Sequence, residues 1–248
     1  MNDLDRSAHY LPYLQRIPAF ATLDEAPVSY LAGGGLLRSA PRGQILCEKG
    51  SRSITLQCLI EGRVKLVVLS PRGSERVLDI LLPGRLFGLA TVLLDEPCPV
   101  IAESISDCQL LSINRERVQA AIGIWPEVAT TLLDLLARDV HRLIHDLESC
   151  CLMSARQRLA DFLVKQGRCL AREGEDQVTV TLHAAKSIVA STLNLSAETF
   201  SRELHELAAR GLIEIDRRRI LIPSLERLGG FLAEAAEIPQ RTASQDVA

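Results

Sequence analysis

At 248 residues, 47% hydrophobic and 24% charged, the chain has the composition of a folded globular protein and is long enough to bury a substantial core. A net charge of −3 does not advertise a polyanionic partner, and no apolar run approaches the roughly eighteen residues needed to cross a bilayer. Seven cysteines without framework spacing fit a reducing compartment, and the acidic start MNDLDRSAHYLPYL lacks the apolar centre of a signal peptide, so the expected location is cytoplasmic.

Charge is unevenly spread. Residues 1–150 hold 15 basic against 18 acidic side chains, residues 151–230 hold 12 against 10, and the stretch from Phe231 onward holds 1 against 3. The mildly basic segment is therefore residues 151–230, most of the last two-fifths of the chain. A solvated surface is the commoner meaning of so small an excess.

From Arg38 to Asn114 the pattern is strand-like. RVKLVVL alternates Val64, Leu66 and Val68, SPRGS turns the chain, and RVLDILL presents Leu78, Ile80 and Leu82, which predicts a hairpin. Gly43, Gly50, Gly62, Gly73 and Gly84 recur at intervals of 7, 12, 11 and 11 residues. Short strands punctuated by turn glycines at this spacing predict a small β-barrel or jelly roll.

At GIWPEVATTLLDLLARDVHRLIHDLESC the period becomes helical, with Pro126 suited to the first turn. Leu133, Leu136, Val140, Leu143, Leu147 and Cys150 alternate steps of three and four, nearly three heptads of seam. Leu132, Leu135 and Ile144 widen the stripe, so one flank can rest on the chain's own barrel while the seam meets a twin. A homodimer helix is the preferred reading.

ARQRLADFLVKQG continues as an amphipathic helix, followed by polar REGEDQ and the short strand VTVTL. AAKSIVASTLNLSAETFSRELHELAARGLIEI then reads as helix, tight turn and helix, with Ser196 as N-cap and Gly211 as stop. LIEIDRRRILIP alternates as a hairpin, which completes a winged helix-turn-helix. On the second helix Phe200, Leu204 and Leu207 form one stripe, while Glu198, Ser201 and Arg202 share another side at its start. In a major groove a carboxylate accepts from cytosine N4–H, an arginine fork pairs with guanine O6 and N7, and a hydroxyl meets either edge or a phosphate. IPQRTASQDVA at the end is polar and expected to be unstructured.

PRG at 41–43, the spaced glycines, PGRLFG at 83–88, the long helix and the winged helix-turn-helix together resemble the Crp/Fnr family of bacterial transcription regulators over residues 15 to 230. The resemblance implies an α+β chain: a cyclic-nucleotide-binding-type β-roll (jelly roll) at 15–125, a dimerisation helix at 126–152, a winged helix-turn-helix at 153–230 and a flexible tail from 231. ETFSR at 198–202 looks like the E-x-x-S-R pattern of the Fnr/Dnr-like branch, and Ala197 stands where the Crp branch has an arginine. By that likeness Glu198, Ser201 and Arg202 touch bases of a TTGAT-N4-ATCAA-like palindrome, and RNA polymerase is an implied partner. Lys186 and the wing residues Arg217, Arg218 and Arg219 are candidate phosphate contacts, with ordinary surface charge as the equal alternative.

An enzyme is not expected: there is no G-x-S-x-G elbow, no phosphate loop, and His141 and His145 take outward heptad positions. The alternative function is an effector-binding sensor module that does not bind DNA. Cyclic-AMP binders of the family hold the phosphate with a Glu after FG and a later Arg-Ser pair. Here Leu89 and Ala90 and then Cys98, Pro99 and Val100 take those places, and an apolar pocket without arginine does not compensate a buried phosphate. Cyclic AMP is not the expected effector. Nor is an iron–sulfur cluster, because no cysteine precedes Cys47. The cofactor stays open; likeness to the nitric-oxide-responsive, Dnr-like members of the family, which share the E-x-x-S-R pattern, implies haem as a candidate, with Cys98 or His9 as ligand. The competing reading makes Cys98 a small turn residue, as Cys58 and Cys108 are expected to be small core residues.

Overall fold

The computed structural model describes residues 2–52, 55–70 and 73–236. Contacts divide the chain into two units, Met1–His145 and Asp146–Ala248. Among the described residues no single helix is long and apolar enough to cross a membrane.

The first unit opens with α1 (Asp3–Gln15), capped by Asn2, whose side chain accepts from Asp5 N at 2.8 Å. A single 3₁₀ turn (Pro18–Phe20) and α2 (Glu25–Gly33) follow. The expected domain start at residue 15 is too late. Tyr10 and Leu14 of α1 are buried in one cluster with Phe20, Leu31, Leu111 and Ile113, so α1 belongs to the domain's core. A helix whose stripe is only a Tyr and a few leucines gives little periodic signal of its own.

Two antiparallel four-stranded sheets come next. One has the order β1 (Gly35–Ala40), β8 (Cys108–Asn114), β3 (Thr55–Glu61), β6 (Leu86–Phe87). The other runs β2 (Ile45–Cys47), β7 (Ile101–Ser104), β4 (Val64–Leu69), β5 (Glu75–Leu81). Leu59, Val64, Leu81, Phe87 and Leu110, drawn from both sheets, form a second buried cluster. Cys58 and Cys108 are buried strand residues, as expected. The glycine periodicity is a row of turns: Gly43, Gly50, Gly62, Gly73 and Gly84 all have φ between +81 and +89°. At Gly62 even a methyl group would strike the Asp107 carbonyl and the Cys108 thiol, so the close approach of two chain segments also requires glycine there.

The predicted hairpin is β4–β5, but its inward face differs from the expectation. Leu66 pairs with Asp79 and Val67 with Val77, so Leu78 is an extra residue. Val77 and Leu81 are buried, whereas Leu78, Ile80 and Leu82 are only half-buried. A period-2 reading cannot anticipate an inserted residue. Pro71 and Arg72 of the Pro-Arg-Gly turn lie outside the described residues.

A short helix α3 (Leu89–Leu94) separates β6 from β7, and α4 (Arg115–Ile124) leads from β8 to the long α5 (Pro126–Leu152). α4 is capped by Asn114, which accepts from Arg117 N at 2.9 Å. Arg117 in turn stacks its guanidinium 3.7 Å over the Tyr30 ring and donates from Nε to Tyr30 O at 2.7 Å, fastening α4 to α2.

In the second unit α6 (Ala155–Leu170) starts with a capping box between Ser154 and Gln157. Next come β9 (Val178–Thr181), α7 (Lys186–Thr192), α8 (Ala197–Ala209), β10 (Glu214–Asp216), β11 (Arg219–Ile222) and α9 (Leu225–Ala236). The three strands form one antiparallel sheet ordered β10-β11-β9. α6 packs against α8, α9 and β9. Gly167 makes this approach possible, since a Cβ there would sit 2.5 Å from Leu225 and 3.0 Å from Val178.

The tail expected from residue 231 begins inside α9. Asp176 fixes the start of that helix, accepting from Glu226 N at 2.8 Å through its side chain and from Leu225 N at 2.9 Å through its carbonyl. These bonds hold the Asp176 carboxyl below its ordinary pKa, led by the one from the Ser224 hydroxyl. Leu225 and Leu228 then bury themselves in the unit. Residues 237–248 lie outside the described residues.

Candidate nucleic-acid interface

The sequence from Leu193 to Ser196 makes the turn between α7 and α8. Asn194 takes φ +55°, a left-handed conformation that asparagine tolerates, and Leu195 N returns to Ala190 O at 2.9 Å. Ser196 then caps α8, its Oγ accepting from Thr199 N at 3.0 Å. Gly211, with φ +65°, ends it. Phe200, Leu204 and Leu207 are fully buried, so the apolar stripe is the helix's anchor. What it turns outward is the opening polar face: Glu198 and Arg202 are exposed and Ser201 is half-buried.

Beneath that face lies a feature absent from the sequence reading. Glu203 is only 7% exposed, and Arg156 of α6 donates to its Oε2 from Nε at 2.8 Å. Arg202 donates to the same carboxylate's Oε1 from its own Nε at 3.4 Å. The carboxylate therefore spans two guanidiniums, one from the supporting helix and one from the exposed face. Glu206 extends the chain, 3.7 Å from Arg156 and 3.2 Å from Arg210. His205 Nδ1 donates to Ser201 O at 2.7 Å on the same helix. With Glu198 included, three arginines face three glutamates, so charge around α8 is balanced. Of the arginines only Arg202, 66% exposed, belongs to the opening face. Because its protein contact uses Nε, both Nη groups stay without a protein hydrogen bond among the described residues.

Lys186 is the first residue of α7 and half-buried. Arg217 and Arg218 form the two-residue loop of the β10–β11 hairpin, since Asp216 pairs with Arg219. All three wing arginines are exposed. The structure thus gathers Glu198, Ser201, Arg202, Lys186 and the wing into one unit, on two helices and a hairpin.

The helix α5, whose residues to His145 belong to the first unit, splits its apolar residues as the sequence suggests, with exceptions. Val128 and Leu132 are buried, Leu135 and Leu136 pack partly against the same cluster, and salt bridges Arg142–Asp79 (3.1 Å) and Arg85–Asp139 (3.4 Å) hold the helix to its own sheet. Leu133, Val140, Leu143, Ile144 and Leu147 remain 52–64% exposed. Leu136 is therefore an own-core residue rather than a free seam position, and Cys150 is half-buried. A helix lying on a sheet covers more than one heptad column, so the flank beside the seam is partly consumed.

The proposed effector residues stand apart. His9 is exposed on α1 with its ring 4.9 Å from that of Tyr10. Cys98 is buried after α3, its thiol donating to Val100 O at 3.3 Å. No described hydrogen bond or ring contact joins the two. Leu89, at the place where cyclic-AMP binders carry Glu, is buried in the first unit's core.

Comparison with known proteins covers both units. A family model described as a cyclic nucleotide-binding domain matches residues 37–123, and one described as a Crp-like helix-turn-helix domain matches residues 157–231. The chain is 33% identical over 178 residues to the cyclic AMP receptor protein of Thermus thermophilus, covering 72% of this chain and 79% of that one. It is 27% identical over 188 residues to a CRP-like cAMP-activated global transcriptional regulator of Mycobacterium tuberculosis, covering 76% and 84%. Among solved structures, FixK2 from Bradyrhizobium japonicum superimposes with a TM-score of 0.70 at 23% identity, covering 79% of this chain and 96% of that one, a likeness of fold.

Proposed function

Because the chain belongs to the Crp/Fnr family and is thereby a DNA-binding transcription regulator, we propose that it acts as a homodimer on a TTGAT-N4-ATCAA-like palindrome, controlled by a small effector. The observation that carries this reading is the opening face of α8. Glu198 and Arg202 are exposed, Ser201 is half-buried on the same helix, and the buried Glu203 carboxylate holds Arg202. Glu198 suits a cytosine N4–H and Arg202 a guanine edge, each such contact discriminating by about 1–3 kcal/mol. Lys186 and the wing arginines supply the backbone contacts that set register without reading sequence. The exposed leucines of α5 supply the second copy, whose twofold axis a palindrome mirrors.

For the effector, two relatives carry cyclic AMP in their names, yet this chain offers no arginine at Cys98, Pro99 and Val100 and a buried Leu89 in place of the acid. We therefore read the effector as something other than a cyclic nucleotide. Calorimetric titration with cyclic AMP is expected to give no heat of specific binding. A gel shift tests the main proposal. Retardation of the palindrome, weaker for a scrambled site and competed by salt, is expected. Failure to shift under any redox or ligand condition would leave only the sensor-module alternative.

A further inference from the structure

Cys47 ends β2, and Cys98 lies in the connection from α3 to β7, fifty-one positions later in the sequence, yet the fold draws them together. β2 pairs with β7, with Cys47 opposite Ala102 and an irregularity in register just before it. The turn that follows Cys47 is tied to Cys98 on both sides: Gly50 N donates to Cys98 O at 2.8 Å, and Cys98 N donates to Ser51 O at 2.8 Å. Ser51 Oγ lies 3.5 Å from Cys47 Sγ and donates to Glu48 O, which closes the turn on the sulfur. The two thiols lie near enough to shift each other's ionisation. Cys98 is only 6% exposed, but unlike Cys58 and Cys108 it belongs to neither buried core cluster.

We propose that Cys47 and Cys98 form a dithiol site that hydrogen peroxide oxidises to a disulfide and that thiols reduce again. The balance is simple. The thiolate of Cys98 attacks one peroxide oxygen; the O–O bond breaks, a sulfenic acid forms, and the departing hydroxide takes up a proton. Cys47 sulfur then attacks Cys98 sulfur; the S–S bond forms, the S–O bond breaks, and the hydroxide leaves as water with the Cys47 proton. Two thiols and one peroxide become one disulfide and two waters, with two electrons passing from sulfur to oxygen.

The local chemistry agrees with this division of roles. The neighbouring Cys47 thiol, above all, holds the Cys98 thiol below the ordinary thiol range against the opposing effect of burial, with help from the Thr91 hydroxyl. Cys47 is pushed up, first by the neighbouring Cys98 thiol and then by burial, so one sulfur keeps the proton that the other gives away. Cys47 is half-buried and forms the open side of the pair, and hydrogen peroxide is close to water in size. This site does not depend on how the second unit reads DNA.

The test is peptide mapping of the full chain after brief exposure to stoichiometric hydrogen peroxide, under non-reducing conditions. A cross-linked peptide pair containing Cys47 and Cys98, restored to free thiols by dithiothreitol, is the expected result. In Cys47→Ser the same exposure should stop at a Cys98 sulfenic acid that reacts with dimedone. Both thiols still alkylated to completion after peroxide, or a cross-link confined to Cys150, Cys151 or Cys169, would overturn the proposal. The wild-type map decides the matter even if the serine variant folds poorly.

Discussion

Two amphipathic helices leave a face uncovered, and the faces are opposite in kind. α5 bares Leu133, Val140, Leu143, Ile144 and Leu147, whereas α8 bares Glu198 and Arg202 over a buried carboxylate. An exposed leucine column loses free energy in water until another apolar surface covers it, at about 25 cal/mol per Å² removed from solvent. An exposed acid and guanidinium lose nothing in water and gain only from a partner that offers matched donors and acceptors. The first face specifies that something apolar binds; the second specifies what is bound. Under the proposed function, affinity through self-association and selectivity through base edges fall to different helices.

Leu143→Asp is the sharpest way to break that division. Placing carboxylates across the seam should give a monomer by sedimentation, and operator affinity should fall toward the non-specific level, on the order of 10³-fold or more. A dimer that survives the change would show that the column serves some other apolar partner. Next in size is Glu203→Ala. Removing one partner of a buried ion pair costs about 3–5 kcal/mol, and because Arg156 is 32% exposed a loss of about 2 kcal/mol in urea unfolding is expected. Unchanged stability would mean that the pair does not support α8.

Arg202→Ala should leave folding alone and cost about 1–3 kcal/mol against the palindrome but not against scrambled DNA. An unchanged ratio between the two sites would refute the assignment of the reading face. Smallest is Arg218→Ala, which should weaken all sequences alike and lower the slope of log affinity against log salt by about one. Selective loss on the palindrome would move Arg218 from positioning to reading.

Much of this was legible from spacing alone. The turn glycines, the Ser196 cap and the Gly211 stop follow from local backbone demands, which a sequence displays residue by residue. The phase of β5 was not legible, because Leu78 is an insertion visible only against its partner strand. Nor was α1, whose worth lies in Tyr10 and Leu14 meeting residues about a hundred positions away. The Arg156–Glu203 pair is hidden for the same reason: its members are 47 positions apart, and each alone looks like surface charge. The exposed polar face of α8 could be seen in the sequence; the buried carboxylate beneath it could not.

The wing carries a cost of its own. Arg217 sits at φ +53° in the first place of a two-residue hairpin loop, where glycine, asparagine or aspartate fits without strain. A left-handed arginine gives up about 1–2 kcal/mol to steric crowding. Selection for stability alone would remove that side chain. Arg217→Gly or Arg217→Asn is therefore expected to raise the melting temperature, at the expense of whatever the cation touches.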